Sequence, residues 1–78
     1  MEFIELGFGE EEEIIKKLDH TKTYVLICDS DAANVGACPW FAVESDDQKT
    51  VEDEYSESGG SIFLSMVVKN GEVIFNDK

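Results

Sequence analysis

Asn70-Gly71 stands between two β-prone runs, Ser61–Val68 before Lys69 and Val73-Ile74-Phe75 after Glu72. Both residues tolerate positive φ, which a tight two-residue hairpin turn requires, so the pair predicts a closing β-hairpin. Along the first run Ile62, Leu64, Met66 and Val68 point to one side, and Phe63, Ser65 and Val67 to the other. Both sides are largely apolar, which places this strand inside a sheet rather than at its edge.

The rest of the chain supplies partners for that hairpin. Glu2 to Phe8 reads as a first strand, with Ile4, Leu6 and Phe8 on one face and Phe3 and Glu5 on the other. Gly9 breaks the pattern as a helix N-cap, and Glu10 to Leu18 follows as the one clear helix. Glu10 to Glu13 fill its first turn and Lys16 and Lys17 its last, as the macrodipole favours. Glu12–Lys16 and Glu13–Lys17 are well-oriented i,i+4 pairs, and Ile14, Ile15 and Leu18 form the apolar stripe. His20 is expected to cap the helix end. Lys22 to Cys28 is a second strand, apolar on both faces. A loop over Asp29 to Ala37 leads to a third strand, Cys38 to Glu44, whose Pro39 suits an edge position.

Ser45 to Gly60 is polar. Val51 and Tyr55 allow one helical turn, and Ser58-Gly59-Gly60 reads as a flexible return. The expected fold is therefore one α+β domain over residues 1–78. It has a five-stranded, mostly antiparallel twisted sheet with one helix on one face, in the order β-α-β-β-β-β. One small helix cannot cover both sheet faces, so long loops, a second subunit or a partner must cover the other. A chain of 78 residues buries only about 60% of its unfolded surface, so the core is small.

Charge narrows the function more than any motif does. Eighteen acidic residues face six lysines and no arginine, a net charge of −12. Such a field repels phosphate, which argues against direct binding to nucleic acid or an anionic membrane, and steers the chain toward basic protein surfaces. No run is long enough to span a bilayer, and Met1 to Glu5 lacks the basic and apolar regions of a secretory signal. A cytoplasmic location is expected. In that compartment Cys28 and Cys38 are expected to be buried thiols, with a cross-strand disulfide as the alternative if strands two and three pair.

No catalytic or cofactor site emerges. Asp29 and Asp31 open like a calcium loop, but Asn34 and Trp40 stand where glycine and glutamate are required. The cysteines lack zinc spacing, and Gly7-x-Gly9 is followed by four glutamates that would repel a phosphate. His20 is the sole imidazole, and nothing places it beside a nucleophile.

The acidic segment is the functional candidate. Glu44, Asp46, Asp47, Glu52, Asp53, Glu54 and Glu57 face Lys49 alone, which puts six of the twelve net negative charges in residues 44–57. On an extended chain, Glu44 with Asp46, or Glu52 with Glu54, would stand about 6.6 Å apart on one side, close to the repeat of a phosphate backbone. Tyr55 and Trp40 are candidate aromatic anchors for a partner.

In element order the chain resembles the phage-encoded uracil-DNA glycosylase inhibitors, small acidic DNA mimics. Glu2-Phe3-Ile4 stands where that family carries its Glu-Ser-Ile signature. Glu10 to Leu18 is similar to its acidic helix, and Val67 to Phe75 to its closing hairpin. More broadly the chain resembles acidic DNA-mimic and anti-CRISPR inhibitors. The resemblance implies that Glu2 and Ile4 touch the target and that the partner is a basic nucleic-acid-binding protein. Two other roles fit the composition: a toxin-neutralising immunity protein, and a protomer that forms a homodimer through its spare sheet face.

Overall fold

In the computed structural model the closing hairpin forms at Asn70-Gly71, with φ of 53° and 79° at its two turn residues. The structure describes residues 2–29 and 38–76, with Cys38, Phe75 and Asn76 described in backbone only. The elements are β1 (Ile4–Gly9), α1 (Glu11–Lys16), β2 (Thr23–Asp29), β3 (Cys38–Glu44), α2 (Gln48–Glu57), β4 (Ile62–Lys69) and β5 (Glu72–Asn76). The strands form one antiparallel sheet in the order β1-β3-β2-β4-β5. The α+β class and the five antiparallel strands are those read from the sequence.

Strand position follows apolar content. β2, apolar on both sides, takes the centre, and Tyr24 to Cys28 are all buried. β4 lies between β2 and β5, inside the sheet as its two apolar sides require. β3 is not the edge strand that Pro39 suggested, because it runs between β1 and β2. The β2–β3 ladder ends at Cys28 opposite Trp40, so Pro39 lies past it and pairs only with Phe8 of β1. A proline beyond the end of one ladder costs that ladder no hydrogen bond. Each edge strand pairs irregularly with its neighbour: the register shifts between Glu5 and Gly7 of β1, and beside Val67 and Val68 opposite β5. Gly7 takes φ of 80° at the β1 shift. Bulges of this kind blunt an edge against pairing with another sheet.

The largest difference from the sequence reading is α2. Residues 48–57 form a ten-residue helix, where a polar loop with at most one turn was expected. Local signals account for both of its ends. The Asp47 side chain accepts from the Thr50 N–H at 3.1 Å and from the Thr50 hydroxyl at 2.7 Å, capping the start. At the other end Gly59 N–H donates to Ser56 O and Gly60 N–H to Tyr55 O, both at 3.1 Å, with Gly59 at φ 95°. That is a Schellman stop, so Ser58-Gly59-Gly60 terminates a helix rather than loosening a loop. A Cβ on Gly60 would lie 2.1 Å from the Tyr55 ring, so this second glycine is fixed by packing.

With two helices each sheet face has a helix packed on it, although Phe8, Phe63 and Ile74 of β1, β4 and β5 stay exposed. On one face Ile14 and Leu18, from α1 and the turn after it, pack with Tyr24, Leu26, Trp40, Ala42, Met66 and Val68. On the other, Val51 and Tyr55 of α2 pack with Val25, Ile27, Val43 and Val67. The face expected to stand spare for a second copy is occupied by the chain's own helix. The start of α1 is also corrected: Gly9 ends β1, and Glu10 holds the N-cap position without a side-chain bond. Cys28 is disulfide-bonded rather than a free thiol. The register sets it opposite Trp40, two residues from Cys38, the other cysteine, whose side chain lies outside the described residues.

Candidate functional site

The acidic segment starts where β3 ends. Ser45 N–H donates to Thr23 O at 3.1 Å, and the Ser45 hydroxyl accepts from Asp47 N–H at 3.0 Å, which turns the chain away from the sheet. Thr50 then binds both oxygens of Asp47. Its hydroxyl first, and its N–H second, hold the Asp47 carboxyl below the ordinary value of 3.8. Asp19 is lowered in the same way by the Thr21 hydroxyl and N–H.

Packing fixes which way α2 faces. Val51 and Tyr55, one turn apart, are buried against the sheet. Lys49, Thr50, Asp53, Ser56 and Glu57 are therefore turned to solvent, with Gln48, Glu52 and Glu54 half-buried on the flanks. Glu52 and Glu54 do not form the extended row expected of them. Two residues apart on a helix they point about 200° from each other around its axis. Glu52 accepts from Gln48 Nε2 at 3.2 Å, and the same amide donates to the buried Ser65 hydroxyl at 2.8 Å. Asp53 meets Lys49 at 3.2 Å. Asp46 and Asp47 are exposed just before the helix.

Neither aromatic anchor is available to a partner. Tyr55 is 6% exposed and Trp40 is 3% exposed. Tyr55 packs edge-on against Phe3, at 5.3 Å between ring centroids, and donates its hydroxyl to Asp29. Trp40 donates Nε1–H to Gly9 O at 2.9 Å and lies on the α1 face. Both aromatics belong to the core, one on each side of the sheet.

A different grouping gathers at the corner of the sheet. Glu2, Ile4 and Glu44 line one hollow of about 360 Å³ together with Val43. β1 and β3 bring them there, since Ile4 pairs with Ala42 and so stands beside the end of β3. Lys22, at the start of β2, reaches Glu44 at 3.5 Å. Sequence reasoning missed Lys22 and Val43. Their only signal is the β2–β3 register, which sets Tyr24 opposite Glu44.

Three groups of carboxylates stand out among the described residues. Glu11, Glu12 and Glu13 open α1 on one face of the sheet, the α2 acids lie on the other, and Glu2 and Glu44 flank the corner hollow. A second hollow of about 330 Å³ lies among Glu12, Ile15, Lys16, His20 and Gly71. There His20 Nε2 is 3.2 Å from Ile15 O, which makes it the helix-end cap expected of it. Among the described residues no three His, Cys, Asp or Glu side chains gather as metal ligands. Asp31, the other half of the calcium-like pair, lies outside them. No helix among the described residues is long and apolar enough to cross a membrane.

Comparison with protein-family models, with curated proteins and with solved structures finds no match for this chain.

Proposed function

We propose that this protein is a non-catalytic acidic inhibitor that occupies the basic nucleic-acid-binding groove of another protein as a polyanion. A phage or mobile-element inhibitor of a host enzyme or defence protein would have this character. The observation that carries the reading is the placement of charge on α2. The glutamates of α1 crowd its first turn, where they stabilise the helix. On α2 the pattern is reversed, with no acid in the first turn and no base in the last. Glu54 and Glu57 instead sit toward the C-terminal end, where the macrodipole disfavours them. The macrodipole gives no reason for Glu57 at that end, and a carboxylate turned to solvent there suits recognition of a cationic surface. Val51 and Tyr55 hold the helix to the sheet, so its solvent-facing acids keep a fixed spacing.

The test is competition. A basic protein captured by the chain from lysate at low salt is identified, and its binding to duplex DNA is titrated with the chain. Displacement of DNA, with affinity falling steeply as salt rises, is the expected result. A captured protein that binds the chain and DNA together, or a complex indifferent to salt, refutes the reading.

A further inference from the structure

The corner hollow carries an inference that rests on the cationic partner proposed above. We propose that the hollow between Glu2, Ile4, Val43 and Glu44 is a socket for one lysine or arginine side chain of the partner protein, and that Lys22 is its resident competitor. Three observations point there. Ile4 is 44% exposed, leaving aliphatic surface open in a concavity of about 360 Å³. Carboxylates flank that surface, and a long cationic side chain matches both features, stem on the apolar wall and head on the acids. Glu44 already receives an ammonium group, because Lys22 reaches it at 3.5 Å with both side chains about half exposed (46% and 57%). An exposed pair of this kind is weak and exchangeable.

Other occupants fit less well. A second copy of the chain would bring another net charge of −12 to an acidic corner. A divalent cation wants six or more oxygen ligands, and no cluster of even three candidate ligands stands among the described residues.

Lys22 supplies the test. The probe is the peptide acetyl-(Lys-Gly)4-amide, titrated at low salt into isotopically labelled protein and followed by amide chemical shifts. The variants are K22Q, E44Q and K49Q. K49Q makes the same change of charge as K22Q but frees Asp53 on α2. The expected result is shifts centred on residues 2–4 and 43–44. E44Q should remove them, and K22Q should tighten the site about threefold, the amount a weak surface pair withholds. K49Q should leave it unchanged. Free lysine amide should bind more weakly than the peptide if the cation is protein-borne. Shifts centred on α2, or equal tightening by K22Q and K49Q, overturn the socket and leave the polyanion reading standing. No shift anywhere overturns both. The spectra also report directly whether each variant is folded.

Discussion

Val51→Ala tests whether residues 48–57 are an integral part of the fold. Val51 is 0% exposed, in the cluster that Val25, Ile27, Val43 and Val67 form on the α2 face. The substitution removes two carbons, worth about 1.6 kcal/mol of transfer free energy, and leaves a cavity that the neighbours only partly refill. A total of about 2–3 kcal/mol is expected. A chain of 78 residues has about 4–12 kcal/mol of stability in all. The melting temperature of so small a domain should fall by more than about 10 °C. Ser56→Ala, exposed on the same helix, is the control and should stay within about 0.5 kcal/mol of the parent. Urea unfolding followed by far-ultraviolet circular dichroism gives both values, and amide exchange gives the local protection of residues 51–58. If Val51→Ala matched the Ser56→Ala control and those amides exchanged at unfolded rates, the packing of α2 on the sheet would be refuted.

Four further outcomes follow from the same geometry. Glu57→Lys should raise the melting temperature, by relieving the unfavourable end of the α2 dipole, while weakening binding to a basic partner; a fall in both would show this acid to be structural. Tyr55→Phe deletes the hydroxyl donated to Asp29 and should cost about 1.5 kcal/mol in denaturant unfolding, with the ring packing retained. Gly60→Ala should destabilise more than Gly59→Ala, because a methyl at Gly60 meets the Tyr55 ring at 2.1 Å whereas at Gly59 it meets only the backbone penalty of φ 95°. Asp47 and Asp19 have folded carboxyls held below 3.8, so their contribution is present above that pH and is lost as pH falls through the lowered values. Asp47→Asn keeps a capping side chain and should flatten the acid limb of a stability–pH curve measured by thermal unfolding.

The sheet was legible because its signals are local and redundant. Asn70-Gly71 dictates its own turn, and the two-sided apolar content of β2 and β4 marks them as interior without knowledge of their neighbours. Pro39 misled because an edge position and a place beyond the end of a ladder satisfy the same missing N–H, and only register separates them. For α2 the helix signals were present but weak against its composition. Asp47 three residues before Thr50, and two apolar residues one turn apart, make a short amphipathic helix that marginal intrinsic propensity alone would not hold. Contact with the sheet supplies the remainder, and such contact is not written in any ten-residue window.

That tertiary dependence bears on function. Negative charge on a free loop gives solubility and a diffuse field, but it does not select a partner. Once Val51 and Tyr55 fix α2, Asp53 and Glu57 become neighbours one turn apart, with about 5–6 Å between their Cβ atoms. Lys49 partly neutralises Asp53, and Lys22 partly neutralises Glu44. Two of the chain's six lysines are thus posted on the acids nearest the two candidate contacts. A groove approaching α2 and a side chain entering the corner hollow would each displace one lysine. The two contacts are separable by which lysine substitution strengthens them: K49Q for the helix and K22Q for the socket.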